Sequence, residues 1–172
     1  MNLKNEEVIV DTNDNIISLK PRGEITKADI YRVSVLWVTN KNNQILLSRR
    51  ALNKSHDPGR WEPAVAGTIE NNETYLENIL KEAKEEINLI LSEDEVKIGP
   101  KLFLHNTSGW QFFCQIFLYQ TDKNISYFKL QSEEVMDIKW FDKEQIFNMM
   151  ITEKNLIVSN MGTIIKAIEN FN

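Results

Sequence analysis

Apolar and polar residues follow two spacings along this chain, alternation that predicts strands and three-to-four-residue repeats that predict helices. Residues 8–10 and 16–19 flank Asp11, Thr12, Asn13, Asp14 and Asn15, a run of turn formers that predicts a hairpin. Beyond Pro21, Arg22 and Gly23, residues 32–39 are rich in Val, with Leu36 and Trp37, and predict a strong strand. Residues 44–48 follow a turn at 40–43 and complete a second hairpin. Residues 51–61 predict a loop carrying Asn53, Pro58 and Gly59, and residues 62–66 a short strand or loop that leads to Gly67. Strands are expected at 101–105, 111–119 and 136–141, the first two around the turn Asn106, Thr107, Ser108, Gly109. Asp142 is placed to cap a helix running to about Met150, with Glu144 in its first turn, and residues 158–171 have helical spacing at Met161, Ile164, Ile165 and Ile168.

Residues 73–89 give the clearest helix. At about 100° per residue, with Glu82 at zero, Leu76, Ile79, Leu80, Ala83, Ile87 and Ile90 fall between roughly 60° and 160°, which predicts one buried face. Glu82, Glu85 and Glu86 lie within about 100° of one another on a bordering sector, and Glu77, Lys81 and Lys84 take the remainder. No repeat, low-complexity tract or linker interrupts the chain. The expected organisation is one mixed α and β domain over residues 1–172.

Composition narrows the picture. An apolar share of 42% and a charged share of 26% in 172 residues suit one globular core. A net charge of −5, from 20 Lys plus Arg against 25 Asp plus Glu, makes the chain a poor partner for nucleic-acid polymers. That acidity is local, because residues 70–95 hold nine acids and two lysines while the rest sums to a small positive charge. Cys114 is the single cysteine, which excludes an intramolecular disulfide and a cysteine-cluster zinc site. Its neighbours Phe112, Phe113, Ile116 and Phe117 favour packing for it. The opening residues lack the apolar core of a leader, and no run approaches a membrane span, so a cytoplasmic protein with no membrane partner is expected.

Glutamates on adjacent helical turns repel one another, and a solvated face avoids that by interleaving Lys. A hard divalent cation would remove the penalty. Carboxylates at i, i+3 and i+4 suit Mg²⁺, which takes one or two protein carboxylates plus phosphate oxygens and keeps some waters. A charged, solvent-facing helix remains the bland alternative for three glutamates alone.

The wider spacing decides between them. Gly67, five residues, Glu73, seven residues, Lys81-Glu82, two residues, Glu85-Glu86, then Ile87, Asn88 and Leu89 resembles the signature box of the Nudix hydrolases, here residues 67–89. Every glutamate of that pattern stands in register. Lys81 replaces the family arginine, offering one compact charge where a guanidinium offers a fork. Asn88 replaces the family glycine where the helix ends, and Asn is the next most tolerant residue of left-handed backbone.

The resemblance extends through Arg49, Arg50, Lys54, Pro58, Gly59 and Trp61 upstream, and Glu133, Glu134, Trp140 and Phe141 downstream, to the branch related to isopentenyl diphosphate isomerase. The isomerase pattern itself has a cysteine before the box glycine and metal-binding histidines. Here Ala66 precedes Gly67, Tyr31-Arg32 stands at the place of a His-Arg pair, and the histidines are His56 and His105. A hydrolase is the better expectation.

The resemblance implies an α+β fold of the Nudix type, an α/β/α sandwich with a mixed β-sheet. It also implies a Mg²⁺-dependent pyrophosphohydrolase, with Mn²⁺ as a substitute, cleaving a diphosphate linkage in a small molecule, expected to be a nucleoside diphosphate joined to another group. Glu82, Glu85, Glu86 and the Gly67 carbonyl would hold metal; Glu82, Glu85 or Glu134 would serve as base. Arg49, Arg50 and Lys54 would hold phosphates, because residues 49–60 carry four Lys or Arg against one acid. Lys81 and Glu73 would support, Glu73 at the helix start where unpaired N–H groups favour a carboxylate. Trp110 and Phe112 either stack on a base or pack the rim. His105 is expected to be a strand histidine, and Trp61, Trp140 and Phe141 core. The family often dimerises, so a homodimer stays open. Two alternatives stay open as well, a nucleotide or metabolite sensor on the same fold and the isomerase.

Overall fold

The structure is a computed structural model that describes residues 6–171. Residues 1–5, part of the stretch inspected for a leader, lie outside the described residues. Alternating apolar runs form strands β1 (Glu6–Val10), β2 (Ile16–Pro21), β3 (Ile30–Thr39), β4 (Ile45–Arg50), β5 (Trp61–Pro63) and β6 (Val65–Thr68). Helix α1 (Tyr75–Ile87) follows, then β7 (Lys97–His105), β8 (Gln111–Gln120), β9 (Val135–Phe141), α2 (Lys143–Thr152) and α3 (Met161–Phe171). Each expected element is present, with no end displaced by more than four residues, and the segment expected at 62–66 is two short strands, β5 and β6.

Strand β3 organises a mixed sheet. It pairs antiparallel with β1, β4 and β6, and parallel with β8 along its whole length, from Ile30 opposite Gln111 to Thr39 opposite Gln120. Because successive side chains on a strand point to opposite faces, β3 feeds two cores at once. Leu36 and Val38 pack with Ile79, Ala83 and Ile87 of α1 on one face. Val35 and Trp37 pack with Ile146 of α2 and with Met161, Ile164, Ile165 and Ile168 of α3 on the other. The result is the expected α+β architecture, a helix layer on each side of a mixed sheet. Trp61 and Phe141 meet edge to face at 4.9 Å within the second core, and Trp140 packs against the first.

Helix α1 departs from expectation at both ends. Thr74 is its cap, accepting from the Glu77 N–H while Glu77 returns a bond to the Thr74 N–H, so the capping expected of Glu73 belongs to a Thr-x-x-Glu box one residue later. At the other end Asn88 adopts φ 55° and ψ 33° and stops the helix at Ile87. The 100° progression ends there, so Leu89 turns into the core and Ile90, expected on the buried face, is 68% exposed.

Candidate active site

Helix α1 is held to the sheet by close backbone approach and one buried amide. A methyl group on Gly67 would stand 2.7 Å from Asn78 Oδ1 and 2.8 Å from Glu82 Cδ, so only glycine lets the helix lie this near β6. The buried Asn78 side chain donates to the Thr68 carbonyl at 3.1 Å, to Glu73 at 2.9 Å and to Glu82 at 3.4 Å, and accepts from Ser34 Oγ at 2.5 Å. Nothing in the sequence singled out Asn78, although its position four residues before Glu82 placed it on the same edge. Lys81 Nζ lies 2.6 Å from Glu73, 3.6 Å from Glu82 and 3.8 Å from Glu70. One ammonium therefore bridges the carboxylates that a guanidinium would orient. Glu73 is held between Lys81, Asn78 and the Glu70 N–H. Burial raises its carboxyl, and the bonds from Lys81 and Asn78 more than reverse that, leaving it below the ordinary range.

Glu82, Glu85 and Glu86 line one cleft of about 1120 Å³ together with Gly67, Arg50, Lys54, Glu62 and Glu134. Their places on the helix wheel set their environments. Glu85 is exposed, whereas Glu82 and Glu86 are half-buried beside the apolar face. Burial pushes the Glu86 carboxyl well above its usual value, and the negative charges of Glu62, Glu82 and Glu134 push it further. Glu82 is raised by burial and by Glu85, against the pull of Lys81.

The basic residues divide. Arg50 turns into the cleft, where its Nη1 donates to both Glu62 oxygens at 2.7 and 2.9 Å and its Nε donates to the His56 carbonyl at 2.9 Å. Lys54 pairs with Glu134. Arg49 instead donates to the Gly59 carbonyl at 2.8 Å and lies 5.9 Å over the Trp61 ring, and it is not among the residues lining the cleft. Consecutive residues of β4 face opposite sides, which separates the pair that sequence had grouped.

An aromatic wall lines the same cleft. Tyr31 and Phe112, from neighbouring strands, stack at 5.4 Å; Trp110 meets Tyr31 at 6.3 Å and 74°. His56 meets Trp110 at 5.4 Å and 83°, joining the 51–60 loop to the end of the β7–β8 hairpin. Trp110 and Phe112 thus face the cleft, and Tyr31 and Glu62 join it without having been singled out for it. Both were invisible as site residues because strand pairing, which is non-local, brings them in. Cys114 borders the cleft floor but packs in the core with a thiol that burial pushes up to about 12. His105 is an exposed strand residue that meets the Phe103 ring edge to face at 4.9 Å.

The donor chemistry of α1 fits a hard cation: all-oxygen, carboxylate-rich, and containing one carboxyl, Glu86, whose ionised form is strongly disfavoured until a positive charge arrives. Among the described residues no three His, Cys, Asp or Glu side chains are already drawn together as a ligating group. The glutamates share a cleft and would converge on an ion as it binds.

A family model described as the NUDIX domain matches residues 30–160. An uncharacterized Nudix hydrolase from Pseudomonas aeruginosa is 25% identical over 136 residues, covering 78% of this chain and 77% of the relative. An isopentenyl-diphosphate Delta-isomerase from Salmonella paratyphi B is 24% identical over 155 residues, covering 84% of this chain and 81% of the relative. Among solved structures, DR0079 from Deinococcus radiodurans superposes with a TM-score of 0.79 at 18% identity, covering 95% of this chain and 98% of its own. A bifunctional NMN adenylyltransferase/ADP ribose pyrophosphatase from Francisella tularensis, complexed with AMP and a Mn ion, superposes at 0.64 with 18% identity over 82% of this chain and 41% of its own. These structures share the α/β/α arrangement of the mixed sheet.

Proposed function

The chain belongs to the NUDIX family, and on that footing we propose that it is a Mg²⁺-dependent pyrophosphohydrolase acting on a small-molecule diphosphate. The observation that carries this reading is the gathering of Glu82, Glu85, Glu86 and Glu134 on one cleft with Arg50 and Lys54. Carboxylates suit a hard cation and the two basic groups suit phosphate oxygens.

In this reading Glu82, Glu85 and Glu86 hold the metal with the Gly67 carbonyl, and Mn²⁺ can stand in for Mg²⁺. The bound ion would polarise a phosphoryl oxygen and acidify a water. Lys81 and Asn78 fix Glu82, leaving Glu86 as the carboxylate most in need of a cation. A base drawn from Glu82, Glu85 and Glu134 would take the proton of the attacking water, at about 2.6 to 3.2 Å. Arg50 and Lys54 would receive phosphate oxygens. Arg49, tied to Gly59 and Trp61, is left out of that set.

The aromatic wall of Tyr31, Trp110 and Phe112 supports a substrate with a flat ring, in keeping with a nucleoside diphosphate joined to another group. The AMP-bound Francisella structure, whose name includes an ADP ribose pyrophosphatase, supports the same class. Residues 1–172 are taken to work as one domain in the cytoplasm, alone or as a homodimer, with neither a nucleic-acid polymer nor a membrane as partner. No helix among the described residues is long and apolar enough to cross a membrane.

Isomerisation is disfavoured by Ala66 before the box glycine and by a Cys114 thiol held protonated by burial. A sensor with weakened chemistry would follow if Lys81 failed to orient the box glutamates, but Lys81 reaches both Glu73 and Glu82 and so keeps that contact. Incubation with Mg²⁺ or Mn²⁺ and a broad diphosphate panel, following release of a monophosphate, tests the proposal. Metal-dependent release is expected; binding without product would favour a sensor.

A further inference from the structure

Glu62 is the unexplained charge in this cleft. It lies outside the signature box, and its side chain is only 15% exposed. It adds a carboxylate to a cleft whose negative charges already strain Glu86, and after burial it is the largest cause of that strain. A buried acid that worsens its neighbours' repulsion needs a compensating role.

Its contacts suggest one. On β5 the preceding Trp61 packs in the core, so the strand's alternation sends Glu62 the opposite way, into the cleft. There both its oxygens accept from Arg50 Nη1, while the His56 carbonyl accepts from Arg50 Nε. Two anchors on different edges fix the plane of the guanidinium. Nη2 makes no hydrogen bond among the described residues, so one face of the fork is left to donate. After Glu62, the carboxylates that act on Arg50 most strongly are Glu86 and Asp57. A guanidinium freed from Glu62 would be drawn toward Glu86, neutralising the very charge a cation requires.

Resting on the diphosphate reading above, we propose that Glu62 is a positioning residue: it holds Arg50 away from the box glutamates with Nη2 open to a phosphate oxygen of the substrate. Glu62 itself touches neither metal nor substrate. Its effect therefore passes entirely through Arg50, and a double-mutant cycle exposes that dependence.

The probe is imidodiphosphate, whose P–N–P bridge resists hydrolysis, titrated calorimetrically into the protein in Mg²⁺ buffer. Glu62→Gln and Arg50→Gln should each weaken binding about tenfold, the loss expected for one charge-assisted contact. The Glu62→Gln/Arg50→Gln double variant should bind no more than about twofold more weakly than Arg50→Gln alone, since the two act as a unit. Additive losses approaching about a hundredfold in the double variant would overturn the proposal, as would wild-type affinity in Glu62→Gln. If melting curves show that Glu62→Gln does not fold, Glu62→Asp runs through the same cycle and is judged by the same additivity. A wild-type protein that does not bind imidodiphosphate sinks the diphosphate reading and this proposal with it. A wild type that binds while the variants add sinks the positioning role alone.

Discussion

The two walls of the cleft are built in different ways. The carboxylate wall comes from one helix and the glycine it rests on, within 23 consecutive positions from Gly67 to Leu89. The aromatic and basic wall draws Tyr31 from β3, Phe112 from β8, Trp110 from the hairpin before it, and Arg50, His56 and Glu62 from β4, a loop and β5. Local spacing can specify the first wall, because helix periodicity alone decides which side chains share an edge. The second exists only once the parallel β3–β8 pairing and the β4–β5 pairing have formed. On the proposed reading, the residues that would hold metal are thus carried locally, and those that would contact the substrate's ring and phosphates are brought together by tertiary structure.

The sharpest way to break that division is at Glu86. Glu86→Gln should lower turnover by about a hundredfold or more, because the neutral amide no longer balances the cation. The same substitution removes a disfavoured buried charge, so the metal-free melting temperature should stay level or rise. A fall in both would show that Glu86 is structural. Next in size is Gly67→Ala, whose new methyl group meets Asn78 Oδ1 and Glu82 Cδ. Chemical denaturation should register a loss of about 1 to 3 kcal/mol, the range for overpacking against a tight backbone contact. An unchanged midpoint would mean that α1 can retreat from β6 freely.

The aromatic wall should answer differently. Trp110→Ala is expected to raise KM about five- to tenfold with a smaller effect on kcat, since loss of ring stacking weakens substrate binding more than the chemical step. A fall in kcat alone would move Trp110 to the catalytic side of the comparison.

The smallest effect concerns how α1 is tied to the amino-terminal hairpin. Asp14 accepts from Arg32 Nε at 2.6 Å, from Tyr75 Oη at 3.2 Å and from Lys101. Burial raises the Asp14 carboxyl, but Lys101 and Arg32 pull it further down, to a net value below the usual carboxylate range. A folded-state value below the unfolded one means the stabilisation is complete above the ordinary carboxylate range and is lost as pH falls through the lowered folded value. Asp14 holds φ 65°, a conformation Asn accepts, so Asp14→Asn should cost about 1 kcal/mol at neutral pH and little in acid. Equal losses at both pH values would remove the charge from the account.

The walls also differ in how much of each could be foreseen from sequence. The helix, its glutamate edge and the left-handed Asn88 follow from spacing and residue chemistry. Thr74 and Glu77 carry a capping-box signature one residue beyond Glu73, and the stop at Asn88 turns Ile90 into solvent. Arg49 and Arg50 are adjacent in sequence and alike in charge, yet strand alternation gives only Arg50 to the cleft. Glu62 and Asn78 had no motif to mark them. Their positions depend on which neighbours the folded sheet supplies, and that information is distributed over the whole chain.

The proposed function stands or falls on hydrolysis of a diphosphate through metal held by α1. Its most direct measurement is turnover in H₂¹⁸O with Mg²⁺ and the best substrate of the diphosphate panel, followed by mass spectrometry of the products. One ¹⁸O atom is expected in a monophosphate product, with label lost on chelation of the metal. A product of unchanged mass, or bound substrate that is never cleaved, would contradict it.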